Sequence, residues 1–397
     1  MENYINYILE RKKSLFEKDI LKFEKEIFEI VKNSSFLIIG GAGSIGSALS
    51  IEIFKRRPKL LHVVDLSENN LVELVRNIRS SKGYIEGEFK TFAIDNSSIE
   101  FESLLLNNPA YDYVFNLSAL KHVRSESDPY TLMRMTTVNI LNTIKTIKLL
   151  RNRNTKKFFS VSSDKATNPV NFMGASKRIM ELFLIEESSR QDISSARFAN
   201  VAFSDGSLLH GFNQRLLKKQ PISAPLDISR YFMTPKESGE LCLLSGLLGE
   251  NRETFFPKLI EEKHLINFSD IAINYLKYHG FDYHICDSEG EARVKSKEFI
   301  SNKIWPCYFF KSDTTGEKIE EEFYSENEDI DSNKFHSIGV IKNNILEDTT
   351  DLNNFLKAIE ILKIKKIWSK KEILKLYKML IPDFNHIETG KYLDDKM

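Results

Sequence analysis

The chain of 397 residues is 42% hydrophobic and carries 56 Lys plus Arg against 56 Asp plus Glu. That length holds two or three domains with a sizeable core, and so apolar a composition excludes disorder as the main state. A formal net charge of zero removes any global field that would draw the protein to nucleic acid or to an anionic membrane surface, so a charged partner must be held by local groups.

Residues 3–32 set Ile5, Ile8, Leu9, Phe16, Ile20, Phe23, Ile27 and Ile30 among Lys and Glu, the spacing of one or two amphipathic helices. These helices are expected to pack on the body of their own subunit, with an oligomer contact as the alternative. The segment lacks the uninterrupted apolar core of a signal peptide, and no stretch offers the roughly 18 consecutive apolar residues of a spanning helix, so no membrane anchor is expected. "SFLIIGGAGSIGSALSIEIFKR" then reads as strand, glycine-rich turn and helix. "LLHVVDLS", "FKTFAID", "YDYVFNLSA", "KKFFSVSS" and "ISSARFANVAF" read as further strands, mostly separated by helical stretches such as "NNLVELVRNIRSS". "TPKESGELCLLSGLLG" and "NFSDIAINYLKYHG" read as helices, "FFPKLI" as a strand, "YSENEDIDSN" as an acidic, turn-rich surface segment, and 347–379 as helical around Trp368.

Strands alternating with helices predict an α/β fold, a Rossmann-like doubly wound parallel sheet with a smaller C-terminal substrate-binding α/β region and an N-terminal helical extension. The expected division is 1–34 helical extension, 35–200 dinucleotide-binding domain, 201–330 substrate-binding region interleaved with it, and 331–397 helical extension. Cys242, Cys286 and Cys307 stand singly, without a Cys-x-x-Cys pair, which fits a reducing compartment and a cytoplasmic protein.

Gly40, Gly43 and Gly46 recur at three-residue intervals between a strand and a helix. Such glycines allow a tight turn, a close backbone approach to pyrophosphate and close helix–strand packing, while the helix N-terminus offers free N–H groups to the anion. Ser44 and Ile45 share this turn. Asp65 ends the next strand roughly 20 residues on, where a carboxylate accepts hydrogen bonds from an adenosine ribose and disfavours the 2′-phosphate of NADP, so NAD is the expected cofactor. Asp95 ends another strand, as an adenine contact or as a turn residue.

Six stretches in order across residues 35–323, "GGAGSIGS", "NLSALKHVRSESDPY", "VSSDKATNPVNFMGASKR", "RFANVAFSDGSLLHGF", "RYFMTPKESGEL" and "SDTTGEKIEEEF", resemble the extended short-chain dehydrogenase/reductase superfamily. Within it the chain is similar to the polysaccharide-biosynthesis group of UDP-N-acetylglucosamine 4,6-dehydratases. The resemblance implies catalytic roles for Ser163, Asp164 and Lys165, with Met173 where other members carry Tyr, and Lys177 on the nicotinamide ribose. Members with Met typically retain configuration at C5.

In that reaction C4 is oxidised, the C5 proton is removed, the C6 hydroxyl leaves as water and the hydride returns to C6. Lys165 is the expected C5 base, and Asp164 the expected acceptor at C4 and donor at C6. These jobs require a neutral lysine and a protonated carboxyl, hence shifted pKa values. Leu117, Ser118, Ala119 and Lys121 are expected to line the cofactor and substrate cleft, with His122 a packed or positioning residue rather than a catalytic base. Asn200 and Ser207 carry over as nucleotide-sugar contacts, and Arg230 and Lys318 stand where relatives hold the diphosphate. Asp205 and Thr314-Thr315 replace expected cationic positions and leave the nucleotide open.

Three readings compete. The first is the dehydratase, expected as a homo-oligomer. The second is a nucleotide-sugar 4-epimerase or oxidoreductase, which needs no acid–base pair for C5 and C6. The third is a catalytically silent dinucleotide-binding regulator. His279, His284 and Cys286 lack paired ligand spacing, so no metal is expected.

Overall fold

Two helices, α1 (Glu2–Ile8) and α2 (Glu17–Lys32), precede the first strand in the computed structural model, which describes residues 2–259, 265–313, 315–316, 321–386 and 388–391. Strands and helices then alternate as β1 (Ser35–Ile39), α3 (Ser44–Phe54), β2 (Leu60–Asp65), α4 (Glu68–Lys82), β3 (Glu88–Ala93), α5 (Ile99–Asn107) and β4 (Tyr113–Asn116). Helix α6 (Pro129–Thr136) runs through one wide turn at 137–141 into α7 (Asn142–Leu150), followed by β5 (Lys157–Ser163), α8 (Phe172–Glu187) and β6 (Ile193–Phe198).

Beyond these lie β7 (Asn200–Val201), α9 (Leu208–Lys218), β8 (Ile222–Pro225), β9 (Ser229–Met233), α10 (Pro235–Leu248) and β10 (Glu253–Pro257). The chain ends with β11 (Leu265–Asn267), α11 (Phe268–Tyr278), β12 (Asp282–Ile285), α12 (Glu289–Ser301), β13 (Ile304–Phe310), β14 (Asp329–Asp331), β15 (Ile338–Lys342), α13 (Thr350–Lys365) and α14 (Lys370–Leu380).

The principal sheet has nine strands in the order β14-β15-β10-β6-β5-β4-β1-β2-β3. Pairing is parallel from β3 through β10, and antiparallel where β15 and β14 are added. Helices cover both faces, which is why β1 reads as a near-continuous apolar run rather than an alternating one, and why even the serines of β5 are mostly buried. The order 3-2-1-4-5-6 within this sheet is that of a Rossmann-like doubly wound fold. Its switch point lies between β1 and β4, where the turns beyond the C-terminal strand ends open a crevice. Two three-stranded sheets, β11-β9-β7 and β12-β13-β8, stand beyond it.

Local signals start the helices that matter to the crevice. Asn171 caps α8 by accepting from the N–H of Gly174, Asp128 caps α6 ahead of Pro129, and Thr234 with Glu237 forms a capping box on α10. The N-terminal extension packs on its own subunit. Ile5, Ile8 and Leu9 join Ile271, Tyr275 and Trp305, whereas Phe16, Ile27 and Val31 enter the main core.

Three sequence expectations are corrected. "ISSARFANVAF" is two strands: β6 stays in the main sheet, and β7 pairs with β9, because the chain turns away at Ala199 to deliver Asn200 to the crevice. The acidic segment contains β14, a short charged edge strand on β15, a composition that blunts further strand addition. The helical span around Trp368 is two helices, broken where Lys366 takes φ +57° and Ser369 with Glu372 starts a new capping box.

Candidate active site

Beyond β1 the chain must reverse within a few residues. Gly40 has φ +73°, and a Cβ there would come within 2.7 Å of the Ser118 nitrogen, so only glycine fits. A Cβ on Gly46 would lie 2.2 Å from the Gly40 carbonyl oxygen, whereas one on Gly43 would meet only that oxygen, at 3.5 Å. The turn is thus closed on the protein side and open on the other, with Ser44 and Ile45 in the first turn of α3, a cradle that fits a pyrophosphate. Asp65 accepts from the N–H groups of Ala42 and Ser67, both at 2.9 Å, which fixes its carboxylate at the rim of the cradle. The residues present fit a dinucleotide.

Leu117, Ser118 and Ala119 follow β4 and border the cradle. Leu117 N–H donates to the Ile39 carbonyl at 2.8 Å. Buried Asn139, which sequence reasoning missed, clamps this loop by donating to the Leu120 carbonyl and accepting from its N–H, while its amide also donates to Ser176. Asp95 takes the turn role, accepting from the Ser97 backbone and hydroxyl and pairing with Arg134 at 3.0 Å.

The segment expected to carry the chemistry leaves the C-terminal end of β5. Ser163 Oγ donates to Asp164 Oδ1 at 2.7 Å, and Lys165 Nζ donates to both Asp164 oxygens at 3.2 and 3.1 Å. Burial would raise the Asp164 pKa, but the Lys165 ammonium and the Ser163 hydroxyl outweigh it and hold the carboxyl below its ordinary range. For Lys165 burial acts downward, yet the charges of Asp164 and Glu321 leave it raised. Both directions favour the charged pair, whereas a C5 base and a C6 acid each work in the neutral form.

Met173 is 4% exposed in the first turn of α8. One turn on, Lys177 donates to the Val161 carbonyl at 2.9 Å, and burial pulls its pKa down to about 8 against the opposing Glu181 charge.

A residue not singled out from sequence closes the cluster. Glu321, its side chain 3% exposed, lies with Oε1 3.9 Å from Lys165 Nζ and 3.7 Å from Arg230 Nε. It accepts from the Tyr231 N–H at 2.8 Å and from the Asn200 amide, and hydrogen-bonds the Asp164 carboxyl. Burial, then the Asp164 charge, pushes Glu321 up to about 8 against the pull of Lys165, the Tyr231 N–H and Arg230. In sequence it is one of several glutamates in "GEKIEEEF", a run that reads as solvated surface.

Asn200 and Arg230 therefore converge with Asp164 and Lys165. Lys121 donates to Ser204 Oγ at 3.2 Å, and Ser207 caps α9 by accepting from the His210 N–H. The Asp205 N–H donates to Ser44 Oγ at 3.0 Å, joining this loop to the phosphate cradle. Gly206 lies against His122, where a Cβ would meet Nε2 at 2.8 Å, so His122 sits as a packing neighbour of the loop. Lys318 and Thr314 lie outside the described residues. Among the described residues, His284, Cys286 and Glu291 are the one group of three potential metal ligands, away from this crevice and with Glu291 paired to Lys295. No described helix is long and apolar enough to cross a membrane.

Comparison with known proteins follows this geometry. An uncharacterized membrane protein of Methanocaldococcus jannaschii is 30% identical over 59% of this chain and 69% of its own length. The capsular polysaccharide biosynthesis protein CapD of Staphylococcus aureus is 28% identical over 75% of this chain, which spans only 46% of that relative. The X-ray structure of Pen from Bacillus thuringiensis superposes with a TM-score of 0.61 at 24% identity, over 79% of this chain and 89% of Pen, a likeness of fold. The polysaccharide biosynthesis protein family matches residues 36–343, from β1 through β15 and so across the cradle, the catalytic turn and Glu321, and the chain belongs to that family.

Proposed function

We propose that this protein is an NAD-dependent nucleotide-sugar 4,6-dehydratase that converts UDP-N-acetylglucosamine to its UDP-4-keto-6-deoxy product for surface polysaccharide or glycan biosynthesis. The observation that carries the reading is the hydrogen-bonded run of Ser163, Asp164 and Lys165 at the end of β5, facing the crevice beside the phosphate cradle. Elimination across C5 and C6 needs an acid and a base acting at those carbons, whereas epimerisation at C4 needs proton transfer only at the C4 hydroxyl.

NAD supplies the oxidant for C4 and the reductant for C6 when bound. Gly40, Gly43, Ser44, Ile45 and Gly46 would hold its pyrophosphate, Asp65 its adenosine ribose and Lys177 its nicotinamide ribose. The Asp65 carboxylate repels a 2′-phosphate, which favours NAD over NADP. With Met173 in place of a phenol, the proton from the C4 hydroxyl goes to Asp164, which is ionised and therefore able to take it. Ser163 orients that hydroxyl. Asp164 then delivers the same proton to the departing C6 oxygen, and Lys165 removes the proton from C5. Arg230 and Lys121 offer positive charge to the diphosphate, while Asn200 and Ser207 contact the nucleotide sugar.

The test is incubation of purified protein with UDP-N-acetylglucosamine in heavy water, followed by NMR beside Lys165→Ala. The expected result is a 4-keto-6-deoxy sugar carrying deuterium at C5, absent with the variant. A product changed only in configuration at C4 would establish the epimerase instead. Unchanged UDP-N-acetylglucosamine sends the assay to other nucleotide sugars, and failure of those as well despite tight NAD binding would establish the silent regulator.

A further inference from the structure

We infer that Glu321 is a positioning residue for the proton of Lys165: it accepts the ammonium proton and so frees the lysine lone pair to act as the base at C5. The inference rests on the dehydratase reading and addresses a difficulty within it. Lys165 is an ammonium at rest, and an ammonium cannot remove a proton from carbon. Asp164 cannot relieve it, because Asp164 is filled by the proton from the C4 hydroxyl.

Among the described residues, Glu321 is the remaining carboxyl beside Lys165. The groups that face it among the described residues are Asp164 and Lys165 from the turn after β5, Arg230 and the Tyr231 N–H from β9, and Asn200 from β7. Lys165 Nζ lies 3.1 Å from Asp164 and 3.9 Å from Glu321, so a small rotation of its terminal bonds moves the ammonium from one carboxyl to the other. Burial is the first cause that raises the Glu321 pKa, ahead of the Asp164 charge, so Glu321 stays a stronger base than an exposed carboxylate once Asp164 has taken the C4 proton.

The proton count closes. The C4 O–H bond breaks and a carboxyl O–H forms on Asp164. One Lys165 N–H breaks and an O–H forms on Glu321. The C5–H bond then breaks, its proton joining the lysine nitrogen and its electron pair forming the C5–C6 double bond as the C6–O bond breaks, and Asp164 protonates the leaving oxygen to give water. Once C6 has been reduced, Lys165 returns a proton to C5 and regains one from Glu321, so every group ends as it began.

Turnover then requires Glu321 ionised. Below about 8 its carboxyl is neutral and cannot accept, so kcat rises with pH through that value. The test compares full-length wild type, Glu321→Gln and Glu321→Asp with UDP-N-acetylglucosamine and with the same sugar deuterated at C5, across pH, beside thermal melts.

For Glu321→Gln we expect kcat lowered at least about 100-fold with little change in KM, loss of the acid limb, and an enlarged isotope effect as C5 deprotonation becomes rate-limiting. Glu321→Asp regains part of the rate. Should Glu321→Gln fail to fold, the wild-type limb together with the Asp variant's isotope effect decides: a limb near 8 and an enlarged effect support the role, and absence of either overturns it. A wild type that turns over while Glu321→Gln keeps both the limb and the isotope effect overturns this inference alone. A wild type that leaves UDP-, GDP- and dTDP-linked sugars all unchanged overturns the dehydratase reading and the inference with it.

Discussion

At the scale of single residues, the thioether of Met173 neither gives nor takes a proton, and it is packed into the core beneath the crevice rather than left as a gap. A volume-conserving change there should leave the chemistry in place. Met173→Leu is expected to keep kcat within a few-fold of wild type and to cost under about 1.5 kcal/mol in a urea titration. A large loss of kcat in a folded variant would mean that the sulfur contributes to the reaction.

Behind the catalytic segment, Glu181 accepts from Arg197 at 2.9 and 2.8 Å and from Ser162 at 2.6 Å, while Arg197 also donates to Glu328. Burial opposes the Glu181 charge, but the Arg197 guanidinium overrides it and holds the carboxyl at about 2, below its ordinary 4.5. A depressed pKa places this contribution to stability above about 4.5 and removes it as pH falls towards 2. Glu181→Gln leaves a buried guanidinium partly uncompensated. It should cost about 3–5 kcal/mol near neutral pH and flatten the acid side of the stability curve, as measured by chemical denaturation at a series of pH values.

At the scale of elements, the turn after β1 separates two kinds of glycine. A Cβ on Gly46 collides with backbone, so Gly46→Ala should lower the melting temperature as well as abolish NAD binding. A Cβ on Gly43 projects into the open side of the cradle, so Gly43→Ala should fold normally and weaken NAD at least about tenfold in calorimetric titration, a loss of roughly 1.4 kcal/mol. Equal melting temperatures for the two variants would contradict this division. The turn was legible in sequence because its glycine spacing is a backbone requirement written locally. The clamp that Asn139 places on the neighbouring loop was not, since a lone Asn inside an apolar helix carries no local sign of a partner 19 residues away.

Helix α8 carries Met173 and Lys177 and is held at its start from three directions. Asn171 caps it, buried Glu126 accepts from the Phe172 N–H at 2.6 Å, and His386 pairs with the same Glu126 at 3.0 Å. The C-terminal helices add an aromatic cover, with Tyr377 and Phe384 against the Phe172 ring and Phe355 against Phe183. Phe355→Ala should therefore cost about 3–5 kcal/mol, read from urea unfolding, although it lies far along the chain from any motif. A cost below about 1 kcal/mol would mean that α13 rests loosely on the body.

At the scale of the whole molecule, balanced charge and an ordinary core composition describe a protein that binds its ligands through a local site, and the crevice is such a site. Alternation of strand and helix, the glycine turn and Asp65 at a strand end were readable in the sequence, because each is set by contacts within a few residues or by a period of hydrophobicity, and those survive in a linear string. Ser163, Asp164, Lys165 and Lys177 were singled out through the family resemblance, since an Asp-Lys pair alone reads as a surface ion pair. Strand order, the split of residues 193–201 between two sheets, the resting charges of Asp164 and Lys165, and the entry of Glu321 were decided by the tertiary structure. Glu321 lies more than 150 residues from Asp164 in the chain. Only folding brings those two carboxyls, an ammonium and a guanidinium into one desolvated volume, where each charge sets the protonation of the others.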